Sequence, residues 1–329
     1  MQSTFKRLGP AALAFWSVCA LAASAGAAEL KPWRHGVLEA KSDSGFILMV
    51  DRGGFAEKHG LKLQTTQMKN GSTVMKALLA GELETVEMGA AEAIIAGARG
   101  ADVKILGCTW PGLPQVVMAK ADIKTPQELK GRTIAASSPG SLPDQLARAL
   151  LDNYKIPASE VKFANLGADL DRYKAMLAGV ADAAVVSNEF GAIAPAGFKV
   201  LVQGHAIVPN FIRLCVTTTG KVLSEHRADL VQFVAAEMEA YRYASTHRAE
   251  AVKLAHELTG AKADDPRAEF IFDQAIKEKQ IDPAMEIPVE KIDWMQNLFV
   301  KTGVLQKTGE TAKFVDQSVR KDALAIVGK

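Results

Sequence analysis

An α/β fold of two doubly wound lobes is predicted by three observations. Short strands alternate with amphipathic helices, one helix–glycine–strand segment occurs twice, and the 329-residue chain is long enough for two separate cores.

The alternation begins with a strand at Trp33–Val37 and a helix over Gly45–His59, stopped by Gly60, a residue suited to the left-handed conformation at a helix end. Leu61–Gln67 alternates apolar and polar residues as a strand does. Val74, Leu78 and Leu79 mark the next helix, which Gly81 ends. Strands at Thr85–Met88 and Val103–Cys108 flank a helix at Ala91–Arg99. A second set opens after Lys120. Thr125-Pro126-Gln127-Glu128 has the pattern of a capping box with proline at the first helical position. It leads to strands at Arg132–Ala136, Val161–Asn165, Ala183–Val186 and Phe198–Val202, with helices at Leu142–Asn153 and Asp169–Leu177. Beyond Phe211–Thr218 the chain reads as helix almost to its end, with apolar residues spaced at Leu230, Phe233, Val234 and Met238 and again at Ile292, Met295, Leu298 and Phe299.

The repeat ties the two sets together. Ala77–Met88 aligns without gaps to Ala175–Val186: each is a helix end, a glycine stop (Gly81, Gly179), an acidic turn and a buried strand. Leu-Ala-Gly arises cheaply in alanine-rich chains, but both copies occupy the same place in their βα sets. The residues after the two strands, Gly89–Glu92 and Ser187–Glu189, then lie at carboxyl edges of parallel sheets, where open α/β folds bind ligands. Two lobes facing each other enclose a cleft there.

The first residues predict export. Lys6 and Arg7 precede the apolar run Leu8–Leu21, which is too short to span a bilayer, and Ala25-Gly26-Ala27 offers a cleavage site. Residues 1–27 are expected to be a signal peptide, with Ala28 as the alternative cut. Trp16-Ser17-Val18 before Cys19 lacks a lipobox pattern. Losing Lys6 and Arg7 leaves 37 basic residues against 37 acidic, and a balanced, scattered charge gives no footprint for nucleic acid. Two cysteines remain, Cys108 and Cys215. They can pair in an oxidising compartment, yet both sit in apolar strand-like runs, where a free buried cysteine is common, and the sequence leans to the free thiols.

Catalytic patterns are missing from the sequence. It contains no Gly-x-Ser-x-Gly elbow, no His-Glu-x-x-His and no phosphate loop, and its six histidines are dispersed without metal-ligand spacing. The most suggestive segment is Ser137-Ser138-Pro139-Gly140-Ser141. It joins a strand to a helix, so free amides and the positive helix end face the expected cleft. Ser141 is also expected to cap the helix, with Asp144 three residues on. Asn70-Gly71-Ser72 is the counterpart loop of the first lobe. Glu92 reads most simply as a helix-opening acid favoured by the dipole. Glu189 stays open between that role and the cleft. If either faces the cleft, an unpaired carboxylate disfavours a simple anion and suits a ligand with an amine or protonated ring.

The ordered motifs Gly60-Leu61, Gly71-Ser72, Ala77-Leu78-Leu79-Ala80-Gly81, Gly89-Ala90, Ala96-Gly97 and Gly100-Ala101-Asp102-Val103-Lys104 resemble the nitrate/sulfonate/taurine and thiamine-precursor binding proteins. Leu129–Ala135, Pro139-Gly140-Ser141, Ala178-Gly179 and Asp182-Ala183-Ala184 continue the likeness over the mature chain. It implies the type II periplasmic-binding fold, with lobe 1 at 28–117 and 214–329, lobe 2 at 118–213, and crossing strands near Gln115–Lys120 and Phe211–Thr217. The helical C-terminal region is expected to pack on lobe 1. It further implies a ligand shell of Ser44, Ser72, Ala90, Glu92, Trp110, Ser138, Ser141, Asn165, Asn188 and Glu189. Trp110 also reads as a surface residue of a Trp-Pro-Gly turn and Asn165 as a turn former. The implied role is a monomeric periplasmic receptor that closes by a hinge on a small polar solute and passes it to the permease of an ABC importer. No cofactor and no enzymatic activity are implied. A pyrimidine-synthase-like enzyme and a ligand-sensing subunit are the alternatives on the same fold.

Overall fold

The computed structural model describes residues 1–2, 29–262 and 264–328. The expected signal peptide lies outside these residues apart from its first two. Among the described residues no helix is long and apolar enough to cross a membrane.

Among the described residues, ten strands form two five-stranded sheets. The first holds β1 (Lys31–Leu38), β2 (Leu61–Met68), β3 (Thr85–Gly89), β4 (Lys104–Trp110) and β10 (Leu214–Thr218), in the order β2-β1-β3-β10-β4. The second holds β5 (Gln115–Lys120), β6 (Thr133–Ala136), β7 (Lys162–Asn165), β8 (Ala183–Ser187) and β9 (Phe198–Gln203), in the order β7-β6-β8-β5-β9. The orders are equivalent, and the repeated segments end in β3 and β8, which hold the same position in their sheets. Gly81 and Gly179, at φ +75 and +76, make the turns after the two helices.

Both sheets are mixed rather than wholly parallel. β10 runs antiparallel between β3 and β4, and β5 runs antiparallel between β8 and β9. These two are the strands that connect the lobes. The chain leaves the first sheet after Trp110, enters the second at Gln115 and returns at Leu214, so the expected boundary at residue 117 falls inside β5.

Local chemistry altered some expected elements. The helix expected over Gly45–His59 is three single turns, Ser44–Ile47, Met49–Arg52 and Phe55–Lys58. Gly53-Gly54 interrupts it, with Gly54 in the left-handed region at φ +73. The Pro126–Leu129 turn is a 3-10 helix in which the Glu128 carboxylate accepts from the Lys124 amide and from the Thr125 hydroxyl, while the Thr125 side chain accepts no backbone amide, so the capping box is not formed. By contrast, Leu142–Asn153 and Asp169–Leu177 are helices with the bounds that periodicity predicts.

A continuous apolar core runs through both lobes, joining Val74, Ile94 and Ile105 to Val117, Ile134 and Leu150 through Leu113, Phe211 and Phe299. The C-terminal helices do not all cover the first lobe. Arg227–Thr246 packs on the single turns after β1, and Val289–Lys301 packs on Ala90–Ala98, but Arg267–Lys277 lies against Glu189–Ala192 of the second lobe. Cys108 of β4 and Cys215 of β10 are joined in a disulfide. The apolar surroundings that suggested free thiols are those of two neighbouring strands that bring the sulfurs together.

Candidate functional site

A cavity of about 370 Å³ lies between the lobes. From the first lobe it is lined by the loop after β1 (Lys41, Ser42), by Asn70-Gly71, and by Gly89 and Glu92. The second lobe adds Ser137, Ser141 and Leu142, then Asp169 and Arg172, then Glu189 and Phe190. Gln115 and Arg213 come from the crossing segments, and Arg267 from the C-terminal helices. These loops follow the carboxyl ends of β1, β2, β3, β6, β7 and β8, the edge at which parallel strands present their loops to ligands.

Four cations in the lining already have acids of their own. Lys41 Nζ lies 2.8 Å from Asp169 Oδ2 across the cleft, and Arg172 pairs with the same carboxylate from within its helix. Arg213 is buried against Asp43, with its guanidinium 4.2 Å above the Trp110 ring. Arg267 is held by Asp265 at 2.6 Å. Burial alone raises the pKa of a carboxylate, yet Asp169 is held well below the usual range because Lys41 and Arg172 outweigh its desolvation.

Glu92 and Glu189 differ. Neither forms an ion pair among the described residues, and Oε2 of each is buried without a hydrogen-bond partner. Burial pushes both up to about 7, and for Glu189 the charges of Asp169 and Asp43 add to the effect. The Glu92 carboxyl packs against two glycines: a Cβ on Gly71 would stand 2.2 Å from its Oε1, and one on Gly89 would stand 2.4 Å from its Oε2, so a side chain at either position would displace the end of Glu92. Three further lining atoms are buried without partners: Gln115 Oε1, Ser141 Oγ and Arg213 Nη1. Such atoms cost free energy unless a ligand or water satisfies them. They come from both lobes and both crossing segments.

Of the residues expected to form the shell, Glu92, Ser141 and Glu189 line this cavity. Ser72 instead lines a neighbouring cavity of about 540 Å³, and Glu92 borders both. Ser141 does not cap its helix with its side chain, contrary to expectation. The Asp144 carboxylate accepts from the Gly140 amide at 2.9 Å, leaving the Ser141 hydroxyl free to face the cavity. Ser44 is buried and accepts from the Lys41 amide through its hydroxyl, shaping the loop that presents Lys41. Ala90 donates its amide to the Arg213 carbonyl. Trp110 is fully buried beneath Arg213, so it is neither a surface turn residue nor a wall of the cavity. Ser138, Asn165 and Asn188 do not line it either: the Ser138 carbonyl accepts from Ser141, Asn165 ends β7 exposed, and the Asn188 amide donates to Pro114.

Several cavity residues were not anticipated. Lys41 and Asp169 carry no distinctive local pattern. Arg213 does: a lone arginine inside Phe211-Ile212-Arg213-Leu214-Cys215-Val216 is a charge in a buried strand, and such a charge needs a partner.

A family model described as NMT1/THI5 like matches residues 41–251. No curated protein matches the sequence. Among solved structures, the alkanesulfonate-binding protein SsuA from Xanthomonas axonopodis pv. citri bound to MOPS is similar at 18% identity and TM-score 0.74, over 88% of this chain and 100% of that one. The periplasmic nitrate-binding protein NrtA from Synechocystis PCC 6803 is similar at 12% identity and TM-score 0.71, over 91% and 90%. The desulfurization enzyme DSZB is similar at 14% identity and TM-score 0.65, over 90% and 99%. At these identities the likeness is one of fold, and the shared fold is that of periplasmic binding proteins.

Proposed function

The chain belongs to the NMT1/THI5-like family, and from that premise we propose that it is the periplasmic solute-binding component of an ABC importer, capturing one small polar organic molecule between its lobes. The observation that carries this reading is the interlobe cavity itself. Its partnerless polar atoms at Gln115, Ser141, Glu189 and Arg213 are each nine-tenths or more buried and converge from separate parts of the chain. A volume of about 370 Å³ is within the range of small-molecule sites. Closure of the lobes brings the last of these groups onto the ligand, and opening toward a membrane permease releases it. The basic, apolar and small-residue run at the start of the sequence supports export to the periplasm.

The test is a thermal-shift screen of the mature protein against sulfonates, carboxylates, nitrate and pyrimidines. A true ligand at about 100 times its Kd adds ~2.7 kcal/mol of stability. Because this fold also carries the enzyme DSZB, each hit is followed by mass spectrometry. The receptor reading predicts that the hit is recovered unchanged, and turnover would overturn it.

A further inference from the structure

The cavity is not built for a simple anion. The cations Lys41, Arg172, Arg213 and Arg267 are each committed to an acid of the protein, and Lys69 at the rim is exposed. What remains without a partner is mostly acceptor: Glu189 Oε2, Glu92 Oε2 and Gln115 Oε1. Glu189 is 2% exposed and lies near the further charges of Asp169 and Asp43. A nitrate or unsubstituted sulfonate placed here would meet the Glu189 and Glu92 carboxyls, while the buried side-chain donors left without partners are Arg213 Nη1 and the Ser141 hydroxyl. The glycines at 71 and 89 leave room for the Glu92 carboxyl beside the cavity, so its position follows from the fold rather than from a chance side-chain conformer.

Resting on the receptor reading, we propose that the cargo presents a hydrogen-bond-donating nitrogen, an amine, amidine or protonated ring, to Glu189 and Glu92, while an acceptor group of the same molecule meets Arg213 and Ser141. The solute is therefore a small bifunctional molecule with donor and acceptor ends. Gln115 accepts a further hydrogen bond from the donor end. Burying both carboxylates against such a group satisfies acceptors that no protein group reaches.

The proposal is tested by titration calorimetry with probe pairs that differ only in the nitrogen: taurine and ethanesulfonate, β-alanine and propionate, 4-aminopyrimidine and pyrimidine. Small molecules released on denaturing the exported protein are identified in parallel by mass spectrometry. In any pair that binds, the nitrogen-bearing member is expected to be roughly ten- to a hundredfold tighter. Glu189→Gln keeps the size of the side chain and is expected to remove most of that preference. Gly89→Ala is a second route to the same readout, because it displaces only the flexible end of Glu92 at a backbone φ of −52 that alanine adopts freely. It is expected to weaken the preference at nearly unchanged melting temperature. Equal binding of both members, a preference that survives both substitutions, or a released ligand with no donor nitrogen overturns the proposal and leaves the receptor reading standing. No released molecule and no binding by any probe removes both.

Discussion

Lys41 Nζ and Asp169 Oδ2 lie 2.8 Å apart across the cleft, one on the loop after β1 of the first lobe, the other opening the helix after β7 of the second. Arg172 also holds Asp169, so the carboxylate is fixed within its own lobe and Lys41 is the part that reaches over. In the proposed receptor the pair acts as a latch between the lobes. Replacing Lys41 with methionine keeps the aliphatic stem and removes the charge, and Asp169 retains Arg172. Since the pair is only partly buried, its contribution is about 1 kcal/mol. We expect a several-fold loss of ligand affinity, as a smaller closed population lowers apparent affinity in proportion. Titration calorimetry measures the loss, and small-angle scattering should show a larger ligand-free radius of gyration. Unchanged values in both would mean that the latch holds nothing.

The Cys108–Cys215 disulfide ties β4, from which the chain leaves the first sheet, to β10, on which it returns. It closes a loop of 107 residues that contains the whole second lobe. Chain entropy sets an upper figure of about 4.7 kcal/mol for a loop of this size. Reduction, or Cys108→Ser with Cys215→Ser, should lower the melting temperature by many degrees. Equal melting curves with and without reductant would show that the strands need no covalent tie.

Glu189 and Asp169 give stability opposite pH dependences. Glu189 rises from 4.5 unfolded to about 7 folded because of burial and the neighbouring Asp169 and Asp43 charges. The folded state therefore holds a proton that the unfolded chain has released, and stability falls as pH rises from about 4.5 to 7, by on the order of 3 kcal/mol. Asp169 is shifted downward, so its contribution is present above about 4 and is lost as pH falls further. The ligand-free protein should melt highest near pH 4–5 and decline toward pH 8, and Glu189→Gln should flatten the decline. A wild-type curve that rises from pH 5 to 8 would contradict the assigned burial of Glu189.

The first lobe holds a second buried acid pair whose effect has the same sign. Glu87 accepts from Thr109 and from Tyr241, the latter at 2.6 Å, while both oxygens of Glu237 lack partners and His35 Nε2 lies 3.9 Å from one of them. Burial and the Glu87 charge push the Glu237 carboxyl well above the usual range, which favours its neutral form in the folded protein. Burial also keeps His35 neutral, lowered to about 3. Glu237→Gln should preserve shape and raise the melting temperature at pH 8 while changing little at pH 5. A loss of stability at pH 8 would show that the ionised carboxylate is needed.

The architecture was legible because its signals are local. The repeat at Ala77–Met88 and Ala175–Val186 marks equivalent parts of two similar lobes, and the helices over 142–153 and 169–177 are readable from apolar spacing. The broken turns after Ser44 escaped because Gly53-Gly54 overrides an apolar pattern that is helical on either side. The cleft was less legible. Its glycine-and-serine loops were located, but Arg213 meets Asp43 across 170 residues and Lys41 meets Asp169 across 128, distances over which no periodicity carries information. Ser137 rather than Ser138 lines the cavity.

The proposed receptor holds one solute between its lobes. Ala168 lines the cavity at the start of the Asp169–Leu177 helix, and tryptophan there would fill the space without touching the apolar core. Calorimetric titration of a ligand into the wild-type protein and Ala168→Trp tests the claim directly. The account predicts one molecule bound per chain in the wild type and no measurable binding in the filled variant, at similar melting temperature. Undiminished binding in Ala168→Trp would place the ligand elsewhere and contradict it.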